Sequence, residues 1–164
     1  MTDDLRQLSN DVWGFESSCF VCEPRNAAGL RIRFFHSLER ERIVATFELD
    51  ERFSGPPTYV HGGVLLAVLD EAMAWATIAI AERFAVTKET TSRFERPVKL
   101  HREHQVEAWI ERIEGRHIET VAHIGRPDGK MCVQARATFA VLAVDQANDA
   151  AGAELGEQLS GFVR

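Results

Sequence analysis

Two stretches of alternating character precede one long apolar block. "LRIRFF" (30–35) and "RIVATFEL" (42–49) alternate, or nearly alternate, apolar and polar side chains, the period of a strand with one buried face. The polar "HSLERE" between them predicts an antiparallel hairpin. "DERFSGPPTY" (50–59) carries Gly55, Pro56 and Pro57 in succession, which neither a ladder nor a helix interior accepts, so a loop is predicted. From residue 62 to about 84 there is no proline, and after Gly63 no glycine. Ala, Leu, Met and Glu dominate, predicting a helix of five or six turns. Between residues 64 and 81 the only ionisable side chains are Asp70 and Glu71, so this helix is apolar almost all round and expected to be buried on most sides.

Four strand-like segments follow: "TKETTSRFERPV", "HQVEAWIERIEG", "HIETVAHIGRPDGK" and "MCVQARATFAVLAV". The last is the clearest. Met131, Val133, Ala135, Ala137, Phe139 and Val141 fall on one face, and Cys132, Gln134, Arg136 and Thr138 on the other. "RPDGK" before it predicts a tight hairpin turn. Residues 1–18 read as a polar leader with at most a short helix, "CFVCEPRNAAG" as a loop, and the stretch from about 145 as a frayed tail or loosely docked helix. Two strands, one buried helix and four strands define an α+β domain in which an antiparallel sheet wraps the helix. The expected divisions are 1–28 for the leader and loop, 29–143 for the domain and 144–164 for the tail.

At 164 residues, 45% hydrophobic and 27% charged, the chain fits one soluble globular domain. A formal net charge of -6 argues against a nucleic-acid partner, which needs a surplus of Lys and Arg on one face. It leaves room for a local basic patch, since Arg93, Arg96, Lys99 and Arg102 cluster. A membrane span is disfavoured because each of the two acids in the apolar helix would cost about 2.5–3.5 kcal/mol at a bilayer centre. "MTDDLRQLSNDVW" has no apolar run and begins with acids, so it is read as neither secretory signal nor transit peptide. The odd set Cys19, Cys22 and Cys132 fits a reducing compartment, and a cytoplasmic location is expected.

The candidate chemistry sits where the proline-rich loop enters the helix. His61, Gly62 and Gly63 leave the backbone uncovered, and the first N–H groups of a helix lack intrahelical partners and carry the positive end of its dipole. They can stabilise negative charge developing on a carbonyl oxygen. Asp70 lies two turns further on, in the most apolar part of the chain, where a carboxylate must find donors or serve a function. It suits water activation as a general base, or direct attack on a carbonyl. Gly62 and Asp70 are eight residues apart, about 12 Å along one helix, so one carbonyl cannot touch both. If both act on one substrate, the amide comes from a second copy, which predicts a homo-oligomer, dimer or tetramer, with shared sites. The histidines His61, His101, His104, His117 and His123 show no i, i+4 pairing, and Cys19-x-x-Cys22 has no second pair, so a packed loop is preferred to zinc and no metal is expected.

These residues resemble the hotdog-fold thioesterases of the PaaI type, within the group that opens with a "CFVC…N…GL" segment. The likeness spans roughly residues 19–142. It rests on "CFVC" with Asn26, Gly29 and Leu30, on "HGG" followed by an acid nine positions after His61, on "DEAMAW", and on "VTKETTSRFERPV". The resemblance implies the hotdog fold and hydrolysis of acyl-CoA or aryl-acyl-CoA thioesters, with coenzyme A part of the substrate and no separate cofactor. It assigns Asp70 as the catalytic carboxylate, Gly62 as the N–H that polarises the thioester carbonyl, His61 as site-shaping, and Thr87 as the hydroxyl that hydrogen-bonds the attacking water or the carboxylate. Gly63, Phe53, Ser54, Arg93 and Arg96 are the substrate-binding candidates, the arginines for the phosphates of coenzyme A. Some relatives carry Asn or Gln six residues before the His; here that position is Gly55, with Ser54 adjacent. Two other functions compete: a non-catalytic acyl-CoA binding module, and a hydratase or dehydratase of the same fold using His61 with Asp70 or Glu71.

Overall fold

The computed structural model describes residues 4–13 and 16–154. One helix, α1 (Gly62–Ala79), lies against a seven-stranded antiparallel sheet. The strands are β1 (Leu5–Gln7), β2 (Phe35–Ser37), β3 (Arg42–Phe47), β4 (Ala85–Phe94), β5 (His104–Glu114), β6 (His117–Gly125) and β7 (Met131–Val141), in the spatial order β1-β2-β3-β5-β6-β7-β4. This is the hotdog arrangement implied by the resemblance. A second helix, α2 (Val144–Ala151), follows β7 and buries Ala147. It occupies part of the stretch read as a tail, whose last ten residues lie outside the described residues.

The core fills the space between α1 and the sheet. Val68, Leu69, Met73, Ile43, Val106 and Phe139 are fully buried, each contributing about 1.5–3 kcal/mol by leaving water. By length and composition α1 also satisfies the criteria for a membrane-crossing helix; here its apolar faces meet the inner face of the sheet instead. Along β7 the predicted inner face is buried at Val133, Ala135, Ala137, Phe139 and Val141. The exception is Cys132, expected outside and found fully buried.

Three expectations are corrected. The helix ends at Ala79 rather than near residue 84: the chain reverses through Glu82 at φ +53, and the Arg83 N–H turns back to the Thr77 carbonyl at 2.8 Å. The first hairpin strand is only Phe35–Ser37. Leu30, Ile32 and Phe34 are still buried in alternation with exposed Arg31 and Arg33. Leu30 and Ile32, however, hydrogen-bond to the "CFVC" loop, from Leu30 N–H to Phe20 O at 2.8 Å and from Ile32 N–H to Val21 O at 2.9 Å, and the Phe34 carbonyl accepts from the Leu8 N–H at 3.0 Å. The leader contributes an edge strand, Leu5–Gln7, paired with β2, and a 3-10 turn at Asn10–Trp13.

His104, expected only as a strand residue, is 2% exposed. It stacks on Phe47 with 6.1 Å between ring centres and donates Nδ1–H to the Arg102 carbonyl at 2.9 Å. Burial pulls its pKa below the usual 6.5, so the unfolded chain takes up a proton there first. Its contribution to stability is complete above the unfolded value and is lost as pH falls through it toward the lower folded value. The urea midpoint is expected to fall between about pH 7.5 and 5.5, and to fall less steeply in His104→Gln.

Candidate active site

Three elements meet at the start of α1. The loop before it contains a 3-10 turn, Glu51–Phe53, capped by the Asp50 side chain on the Arg52 N–H. The loop is tied to the helix entry by the His61 N–H donating to the Phe53 carbonyl at 2.9 Å. His61 is the helix N-cap, and its Nδ1 accepts from the Gly63 N–H at 2.9 Å, which leaves the proton on Nε2 when the ring is neutral. The Val64 and Leu65 amides bond to the His61 carbonyl. Gly62 N–H, the first of the helix, has no acceptor among the described residues. A Cβ on Gly63 would come within 3.2 Å of His61 Nδ1, whereas one on Gly62 would rest 3.6 Å from the Phe94 ring. The predicted pair of free amides is thus divided: Gly63 is capped and Gly62 is open.

Two turns along, Asp70 Oδ1 accepts a hydrogen bond from Thr87 Oγ1 at 2.7 Å. Thr87 is the third residue of β4 rather than its first, and it flanks a β-bulge between Thr87 and Glu89. A bulge resets the in-out alternation of a strand, which helps aim this hydroxyl at the helix. β4 pairs only with β7 and forms one edge of the sheet; Val86 and Phe94 on it are 43% and 50% exposed. The Asp70–Thr87 pair lies near the beginning of this edge strand, and Gly62 lies under Phe94 at its end.

The other sequence candidates fall at different distances from this centre. Ser54 Oγ donates to the Glu51 carbonyl at 2.9 Å, closing the 3-10 turn. A Cβ on Gly55 would lie 3.3 Å from His61 Cα, so a side chain there would press on the cap. Phe53 packs on the edge of the core beneath the Arg52 guanidinium, 5.3 Å from its ring centre. The basic cluster divides: Arg93 is highly exposed and 3.9 Å from Glu95, while Arg96, Lys99 and Arg102 line a cleft of about 620 Å³. Arg126, from the β6–β7 turn, joins them there; local sequence clustering could not reveal it.

Glu71 points away from this centre, into the "CFVC" loop. Cys19 Sγ lies 3.4 Å from Glu71 Oε1, and Cys19 Sγ accepts from the Val21 and Cys22 amides at 3.4 and 3.3 Å. The hydrogen bond with Cys22 and those amides bring the Cys19 thiol down to about 5, while the same thiol pair and burial push Cys22 up. Burial and the neighbouring thiolate raise Glu71 to about 8. The loop itself is tightly built: Asn26 Nδ2 donates to the Ser18 carbonyl at 3.0 Å, and any Cβ on Gly29 would strike the Phe20 carbonyl oxygen at 2.5 Å.

The fold and this helix-entry geometry define a hotdog protein. A family model of the thioesterase superfamily matches residues 58–133, from the end of the proline loop through α1 to the start of β7. Acyl-coenzyme A thioesterase THEM4 of Mus musculus is 28% identical over 112 residues, 68% of this chain and 48% of that protein. A crystal structure of a thioesterase superfamily protein superposes with a TM-score of 0.70 at 28% identity, covering 79% of this chain and 64% of that one. The E. coli PaaI protein from the phenylacetic acid degradation operon shares the fold, with a TM-score of 0.57 at 19% identity over 63% of this chain and 74% of its own. The chain has the hotdog fold, and over residues 58–133 it is similar to the thioesterase superfamily. It spans about half the length of the curated relatives it matches.

Proposed function

We propose that this chain hydrolyses acyl-CoA thioesters to the free acid and coenzyme A. The observation that carries the reading is the Asp70 carboxylate, held by Thr87 Oγ1 at 2.7 Å beside an open sheet edge, on a helix whose one other ionisable side chain, Glu71, faces elsewhere. In this reading Asp70 acts on the thioester carbon, either by drawing a proton from an attacking water or by attacking directly. The open Gly62 amide, at the positive end of the helix, receives the charge developing on the carbonyl oxygen. The acyl-coenzyme A activity in the name of the Mus musculus relative supports the substrate class. The cleft of Arg96, Lys99, Arg102 and Arg126 offers guanidinium forks and an ammonium suited to its phosphates.

The site is completed by a second copy. β4 presents ten residues with one backbone edge unpaired, a template for another strand. Antiparallel pairing of two copies of β4 about a two-fold axis at Thr91, with the bulge after Thr87 counted as one position, sets Thr87 opposite the partner's Phe94. Since Phe94 lies over Gly62 and Thr87 holds Asp70, this register brings the partner's Gly62 toward Asp70. It would answer the separation of about 12 Å within one helix.

The test is a free-thiol assay over a panel of aliphatic and aryl acyl-CoAs. Thiol release with at least one of them is expected; saturable binding of every chain length without release would replace hydrolysis by a binding function. Hydration of an enoyl-CoA without thiol release would point to hydratase chemistry.

A further inference from the structure

We propose that Cys19, Cys22 and Glu71 form a binding site for one divalent cation of the zinc class, fastening the N-terminal loop to the central helix. Cys19 and Cys22 share one loop, and Glu71 lies 49 residues beyond Cys22. One ligand atom from each lies within 4.8 Å of the other two. Two thiolates and a carboxylate are a donor set for zinc, whereas magnesium and calcium prefer oxygen alone.

One edge of the cluster has the length of a tetrahedral zinc site. Bonds of about 2.3 Å to sulfur and about 2.0 Å to oxygen set a sulfur–oxygen edge of about 3.5 Å; Cys19 Sγ and Glu71 Oε1 are 3.4 Å apart. Cys19 Sγ already accepts two backbone amides, which stabilise a thiolate, and Asn10 Nδ2 donates to Cys22 Sγ at 3.5 Å. Such outer donors orient ligands in metal sites. No lysine, arginine or histidine pairs with Glu71 among the described residues, so a cation would relieve three crowded acidic groups.

The fourth position is left to an exogenous ligand. On the Cys22 side alone lies a cavity of about 50 Å³, walled also by Asn10, Glu23, Arg33 and Trp75. Trp75 is 3% exposed, and its Nε1 has no acceptor among the described residues. Space for one water-sized molecule and an unused buried N–H suit a metal-bound water. The sequence expectation of a packed loop without metal arose because Cys19-x-x-Cys22 shows only two ligands; the fold supplies the third from α1.

The experiment uses the full chain, free of any affinity tag, purified under reducing conditions. Elemental analysis after dialysis against zinc is expected to give about one zinc per chain, and the cobalt-substituted protein to show thiolate-to-cobalt charge transfer with the intense visible bands of a tetrahedral site. Cys22→Ser should lose both signals, Glu71→Gln should weaken zinc binding by about 10- to 100-fold or more, and Cys132→Ser should retain them. Should Cys22→Ser fail to fold, the unmutated protein still decides: a mercurial thiol reagent must release zinc as two thiols react. Trace metal only, cobalt bands without thiolate charge transfer, or a Cys19–Cys22 disulfide that forms equally with zinc in excess would each overturn the site. None of these readouts depends on thioester hydrolysis.

Discussion

Asp70→Asn is expected to lower thiol release from the preferred acyl-CoA by about 10²- to 10⁴-fold, the range for loss of a positioned acid or base, with the melting temperature and the oligomer unchanged. Asparagine keeps the shape of the side chain and an oxygen that can accept from Thr87 Oγ1, now at 2.7 Å from Asp70 Oδ1. What it removes is the ability to take a proton or attack a carbon. KM should move much less than kcat, because the lost interaction belongs to the transition state. Thr87→Val should reduce kcat by about 10- to 100-fold, since a hydrogen bond to a charged group contributes about 1.5–3 kcal/mol, and Thr87→Ser should restore most of it. Unimpaired turnover in Asp70→Asn would remove Asp70 from the mechanism.

The residues behind that prediction differ in how they could be read. Asp70 was legible because a carboxylate in an apolar helix stands out by composition alone. The helix was legible for the same reason, but its end was not: Ile80 and Ala81 continue the apolar run, no glycine or proline stands between them and Phe84, and the left-handed backbone at Glu82 turns the chain. Thr87 is one hydroxyl among several in "TKETTS"; no periodicity selects it, and its assignment came from the resemblance. The strand read at residues 30–35 had the right burial period, yet Leu30 and Ile32 hydrogen-bond to the "CFVC" loop, a pairing that local alternation cannot specify.

Glu71 shows the same limit from the other side. It is adjacent to Asp70 in sequence, and its one-residue offset, about 100° around a helix, sends it to a different face. There it meets Cys19 at 3.4 Å. Arg126 likewise reaches the basic cleft only because the β6–β7 turn folds beside the segment carrying Arg96 and Lys99. Side-chain types and short-range spacing are written in the chain; which distant segments share a wall is decided by sheet order.

Gly62→Pro tests the shared site. Proline deletes the one amide hydrogen assigned to the carbonyl oxygen, and the first helical position is where a helix tolerates it. His61 at φ -61, ψ 134 already has the extended backbone that a following proline requires. Folding and assembly should therefore survive while thiol release falls by about 10²- to 10³-fold, the measure of one lost oxyanion donor. Mixing is the sharper measurement. Subunits carrying Asp70→Asn and subunits carrying Gly62→Pro, each nearly inactive alone, are unfolded together and refolded in equal amounts. If each site takes Asp70 from one chain and Gly62 from its partner, half of the dimers are mixed and each mixed dimer has one intact site, so about one quarter of the parental activity should return. If both groups served the same site from one chain, every site would keep a defect and mixing would restore nothing. A return near one quarter therefore locates the oxyanion donor in the partner subunit, and its absence in mixed dimers confirmed by mass would place the whole reaction within one chain.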